Sequence, residues 1–106
     1  MAPISLEVLE LEPMASGHRS IRLTRSVGWS DFGDYATKLV RLLEGDIVSE
    51  ADTAVERVWT ISIGGRRYWL SFDDFGLGVS LDPCDAAASD QIENIRQQLL
   101  ELRVTG

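Results

Sequence analysis

Arg57-Val58-Trp59-Thr60-Ile61-Ser62-Ile63-Gly64-Gly65-Arg66-Arg67-Tyr68-Trp69-Leu70-Ser71-Phe72-Asp73-Asp74-Phe75-Gly76-Leu77-Gly78-Val79-Ser80-Leu81 is the stretch on which the fold turns. Trp59, Ile61 and Ile63 alternate with Thr60 and Ser62, and Tyr68, Leu70 and Phe72 alternate with Trp69 and Ser71, which is the period of half-buried strands. Between them Gly64-Gly65 is a two-residue hairpin turn, whose positive φ angles glycine takes at least cost. That turn predicts Ile61 opposite Tyr68, Trp59 opposite Leu70 and Arg57 opposite Phe72. A second turn around Asp73-Asp74-Phe75-Gly76 predicts Phe72 opposite Leu77, Leu70 opposite Val79 and Tyr68 opposite Leu81. Both turns put the large apolar groups on one face, and such agreement between independent local signals marks a real sheet. The other face carries Thr60, Ser62, Arg67, Trp69, Ser71, Gly78 and Ser80. It is polar apart from Trp69.

Upstream, Phe32, Tyr35, Ala36, Leu39, Val40 and Leu43 recur at helical spacing, with Ser30 or Asp31 as N-cap and Gly45 as the closing C′ residue. Ile4, Leu6 and Val8 alternate as a strand, the parity slips after Val8 towards Leu9 and Leu11, and a bulge is expected there. Ile21 and Leu23 then read as a strand returning across a turn at Pro13-Met14-Ala15-Ser16-Gly17. Residues 46–53 are acidic, offer only Ile47-Val48 as apolar signal, and read as a loop. Beyond Pro83, Asp85 or Ser89 caps a helix whose stripe is Ala88, Ile92, Ile95, Leu99 and Leu102. The order β-β-α-β-β-β-α predicts a single α+β domain over 1–106. It is a two-layer sandwich with an antiparallel sheet of about five strands and two helices on one face. Trp29 and Trp59 are expected at the helix start and in the core.

Composition narrows the function classes. The chain carries 17 Asp or Glu against 10 Lys or Arg, a net charge of −7. Nucleic acid and anionic membrane surfaces are therefore poor partners, since both need a basic face. One cysteine, no basic leader and no long apolar run point to a soluble cytoplasmic protein without a signal peptide. Oligomeric state is not legible.

The chemistry-bearing residues are sparse. Asp31-Phe32-Gly33 and Asp74-Phe75-Gly76 spell the magnesium-binding tripeptide of kinases, but the chain has no glycine-rich phosphate loop and is too short for that scaffold. They read as a helix start and a hairpin turn. His18, at a hairpin tip, and Cys84, after the last strand, are the sole members of their types, and nothing in the sequence brings them together. Asp73 and Asp74 stand at one end of the last strand and Asp82 and Asp85 at the other, ~17 Å apart at strand rise, so they share no metal. No catalytic residue, cofactor or metal is expected.

The stretch quoted above, with the helix from Asp31, resembles small acidic bacterial α+β domains of unknown function, some of which are immunity proteins that neutralise a cognate toxin. No functional residue carries over from that resemblance. Three readings stand, in this order. The first is a non-catalytic protein-binding module, an immunity protein against a basic toxin domain being one form of it. The second is an acidic secretion chaperone or adaptor, disfavoured because the chain opens with a hairpin. The third is a small enzyme or metal-binding protein. For the first reading the binding residues are Trp69 as the desolvated anchor with Arg67 beside it, and Asp73, Asp74, Asp82 and Asp85 as an acidic rim that attracts a basic partner.

Overall fold

The structure is a computed structural model that describes residues 6, 7, 9–73 and 78–105, with side chains as far as 103. The hairpin at its centre follows the sequence. β4 (Glu56–Ile63) and β5 (Arg66–Asp73) meet across Gly64 and Gly65 at φ +58° and +78°, with Ile61 opposite Tyr68, Trp59 opposite Leu70 and Arg57 opposite Phe72.

The next register differs from expectation. β6 (Gly78–Pro83) places Val79 opposite Phe72, Leu81 opposite Leu70 and Pro83 opposite Tyr68, two residues beyond the predicted pairing. Asp73 pairs with Gly78, so the connection spans residues 74–77, which lie outside the described residues, Leu77 among them. Gly78 explains the position. It sits at φ +75°, and a Cβ there would come within 2.1 Å of the Thr24 carbonyl oxygen on the neighbouring strand. A slip of two residues leaves every side chain on its predicted face, which is why the core assignment survives a wrong register.

β1 (Glu10–Pro13) and β2 (Arg19–Thr24) form the hairpin at one side, and β3 (Asp46–Asp52) completes an antiparallel six-stranded sheet in the order β1-β2-β6-β5-β4-β3. The loop predicted at 46–53 is thus an edge strand. Its side chains are exposed except for half-buried Ile47, so no hydrophobic alternation marks it, and a bulge between Ile47 and Ser49 breaks what period there was. The strand predicted from Ile4 to Val8 falls mostly outside the described residues. Its described part, Leu6 and Glu7, runs beside β2 without regular pairing: Glu7 N–H donates to Leu23 C=O at 2.9 Å and Leu9 N–H to Arg22 C=O at 2.7 Å. The parity slip is visible as Leu9 at φ +50°. That kink buries both Leu6 and Leu9, and the carbonyl it turns out accepts from Arg96 Nε at 2.6 Å.

Between β2 and β3 a 3-10 turn (Trp29–Asp31) leads into α1 (Phe32–Leu42), which carries the chain across the sheet to its far edge. Asp31 makes no side-chain cap; its N–H closes the 3-10 turn on Gly28 C=O at 3.1 Å, and that turn runs straight into the helix. The other end corrects the glycine assignment. Glu44, not Gly45, holds the left-handed C′ position at φ +55°. Gly45 N–H donates to Val40 C=O and Glu44 N–H to Arg41 C=O, the paired bonds of a Schellman end. Gly45 is required for space, because a Cβ there would lie 2.3 Å from Ser62 O of β4.

α2 (Ala86–Thr105) follows β6 and packs back over β2, β5 and β6. Asp85 is its cap, accepting from Ala88 N–H at 2.8 Å. Ala88, Ile92, Ile95 and Leu99 are buried as the stripe predicted, and buried Tyr68 ties sheet to helix by donating to Ala88 C=O at 3.1 Å. Both helices cover the face that carries Trp59, Ile61, Tyr68, Leu70, Phe72, Val79 and Leu81, all of them in one core. No helix among the described residues is long and apolar enough to cross a membrane.

Candidate functional site

With both helices on one side, the other face of the sheet is left without a helical layer. Alternation along each strand decides what it shows. β5 contributes Arg67, Trp69, Ser71 and Asp73; β6 contributes Ser80 and Asp82; β4 contributes Val58, Thr60 and Ser62. Register sets their neighbours. Trp69 stands between Thr60 on one side and Asp82 on the other, and it is 41% exposed, so no edge loop covers it.

Asp82 is the most constrained carboxylate on this face. It is half-buried, accepts from Ser71 Oγ at 3.3 Å, and has the Ser80 and Ser20 hydroxyls and the Arg22 guanidinium close by. Burial pushes its pKa up, because losing water disfavours the charged form, and the serines and Arg22 pull it back only in part. Arg22 itself is tied to Glu12 of β1 at 2.8 Å, and that hydrogen bond holds the Glu12 carboxyl below its ordinary range.

The structure relates the predicted site residues in a new way. Asp73 and Asp82, read from the sequence as members of separate clusters, line one depression of about 200 Å³ together with Arg22, Glu56, Ser71 and Ser80. Asp73 stands opposite Gly78 and Asp82 opposite Trp69, so the two carboxylates lie at opposite ends of that depression, four residues apart along the strands. Arg67 is exposed two residues from Trp69 on the same face. Asp85 does not join them, being the cap of α2, and Asp74 lies outside the described residues. His18 precedes β2 and Cys84 follows β6, so they stand at the same end of two paired strands, which the sequence did not show. Burial raises the Cys84 thiol pKa and the Asp85 charge raises it further, which keeps the group protonated and poorly nucleophilic. Among the described residues no three His, Cys, Asp or Glu side chains gather as metal ligands do.

A larger groove of about 700 Å³ opens on the helical side, where Leu42 and Leu43 at the end of α1, Ile63 before the β4–β5 turn and Leu102 of α2 converge. None of the predicted site residues reaches it.

One cluster escaped the sequence reading altogether. Arg57 lies with its guanidinium carbon 5.3 Å from the ring centroids of Trp29, Phe32 and Trp59, and its Nη1 donates to Trp29 C=O at 2.9 Å. Asp52 accepts from both Arg57 Nε and Trp59 Nε1 at 3.1 Å, bonds that hold its carboxyl below the usual range, the one from Arg57 foremost. The parity of Arg57 with Trp59 and Ile61 was the available signal. This cation closes the end of the core and is held by the chain's own rings.

A family model described as "Protein of unknown function (DUF3630)" matches residues 9–101 of the chain. No curated protein and no solved structure matches it.

Proposed function

The chain belongs to the DUF3630 family, and we propose, from its helix-free sheet face, that it is a non-catalytic protein-binding module. The observation that carries this reading is Trp69, 41% exposed on an inner strand of the sheet. A tryptophan costs solubility when left in water and contributes strongly when a partner desolvates it, and binding anchors concentrate near the middle of an interface. Its surroundings suit recognition: Arg67, Thr60, Ser71 and Asp82 supply donors and acceptors beside the ring. A net charge of −7 makes a basic partner the complementary one, steered by long-range attraction that salt weakens. An immunity protein that occludes a basic toxin domain in the cytoplasm is the specific form of this reading, with Trp69 and Arg67 as anchors and Asp73 and Asp82 as acidic contacts.

The test is affinity capture from the native host with wild-type and Trp69→Ala baits in parallel, followed by mass spectrometry. A basic protein retained by the wild type, and lost both in raised salt and with the variant, is the expected result. Capture of an acidic protein, or equal capture by both baits, overturns the reading.

A further inference from the structure

The two edges of the sheet are built differently. β1 is four residues long and ends in Pro13. β3 is seven residues long, has no proline, and exposes every side chain but Ile47. Among the described residues no strand lies beyond it.

The hairpin joining β3 to β4 shows which backbone groups face outward. Thr53 N–H donates to Glu56 C=O at 2.8 Å, and the register continues through Asp52 opposite Arg57, Ala51 opposite Val58, Glu50 opposite Trp59 and Ser49 opposite Thr60. Hydrogen-bonded and non-hydrogen-bonded pairs alternate along an antiparallel ladder. Ser49 and Ala51 therefore bond to β4, while Glu50 and Asp52 direct their N–H and C=O groups away from the sheet.

We propose that this outer edge of β3 is a docking site at which an extended, lysine- or arginine-bearing segment of a protein partner adds a seventh strand. Main-chain hydrogen bonds to Glu50 and Asp52 supply the attachment, and charge supplies the selection. β3 holds Asp46, Glu50 and Asp52 and no basic residue; Asp52 is already paired with Arg57 of β4, so Asp46 and Glu50 carry the selection. Side chains directly across a strand pair lie about 5 Å apart, so like charges there repel and opposite charges attract. A second copy of the chain fails this condition. Antiparallel self-pairing centred on Glu50 sets that residue against itself. The same acids that block self-association thus favour a cationic strand. This site uses none of Trp69, Arg67, Asp73 and Asp82, so it stands or falls apart from the function proposed above.

The experiment titrates the isotope-labelled full chain with a short synthetic peptide alternating Lys and Val, and separately with one alternating Glu and Val, while amide hydrogen exchange is followed residue by residue. The lysine peptide should slow exchange at Glu50 and Asp52, and the glutamate peptide should not. Glu50→Pro, whose lost N–H points away from β4, should abolish the protection, Glu50→Gln should weaken binding by about two- to fivefold, and Trp69→Ala should leave it unchanged. Should Glu50→Pro disturb β3, Glu50→Lys keeps the backbone donor and should shift preference towards the glutamate peptide. Protection that survives a folded Glu50→Pro, effects confined to the bare face and lost with Trp69→Ala, or no slowing at Glu50 and Asp52 at millimolar lysine peptide overturns the proposal.

Discussion

The two faces of the sheet come from the same strands, one residue out of phase, and they meet opposite demands. Trp59 and Trp69 show this most directly, each on one strand of the β4–β5 hairpin. Trp59 is buried, edge-on to Phe32 at 5.2 Å between ring centroids, with its Nε1 hydrogen satisfied by Asp52. Trp69 has water over much of its ring and small polar neighbours across both strand pairs. Every large group on the helical face is held from several sides, so removing one leaves a void. On the bare face a group can be removed and water takes its place. Folding energy is therefore concentrated on one face, and the other is free to be selected for something else.

The comparison can be broken at four points. Leu70, fully buried, should cost about 2–5 kcal/mol when replaced by Ala, measured by urea unfolding. A loss within the ~0.5 kcal/mol typical of surface changes would reverse the two faces. Arg57→Ala should cost about 1–3 kcal/mol, because it withdraws the cation from three rings and the donor from the Trp29 carbonyl. An unchanged melting temperature there would show that the rings pack equally well without it.

The bare face should respond more weakly. The Asp82 pKa is raised by burial, so the folded state favours its protonated form. Its contribution to stability is fully present below the ordinary Asp value and is lost as pH rises through the folded value. Asp82→Asn should consequently stabilise the protein at pH 7 by about 1 kcal/mol or less. That gain should disappear on acidification below the ordinary Asp range. A gain that persists at low pH would assign the effect to something other than charge. Trp69→Ala should change stability by less than about 0.5 kcal/mol while removing partner capture. A loss of several kcal/mol would make Trp69 part of the fold and leave the bare face without its anchor.

What could be read from the sequence follows the same division. The β4–β5 pairing and both helix stripes were legible because burial imposes a period on residue type and Gly64-Gly65 fixes its phase. Asp85 was legible as a cap because its local spacing to Ala88 is the cap. β3 was not, since an edge strand with solvent on nearly every side chain carries no hydrophobic period. The β5–β6 register depended on Gly78 meeting the backbone of β2, a contact between segments distant in the chain. At the end of α1, glycine suggested a backbone conformation where the structure uses it for clearance, and Glu44 takes the left-handed turn instead. Trp69 stands out in the sequence as the apolar exception on a polar face. Whether an edge loop or the N-terminal hairpin covers it, and that Asp73 and Asp82 line one depression with Arg22 and Glu56, depend on contacts between distant segments that no local pattern reports.

Strand order also imposes a sequence of events in time. β3, β4, β5 and β6 are neighbours both in the chain and in the sheet, so their pairing closes only short loops. β2 must find β6 across more than half of the chain, Ile21 meeting Leu81, and that loop closure is the costly one. The meander with α1 and α2 is accordingly expected to be formed in the folding transition state, and the β1–β2 hairpin to dock onto β6 afterwards. Substitutions in β1 and β2 should then accelerate unfolding while leaving the refolding rate nearly unchanged, whereas those around Leu70 should slow refolding. Between global unfolding events, the β2–β6 seam is where the sheet would part first.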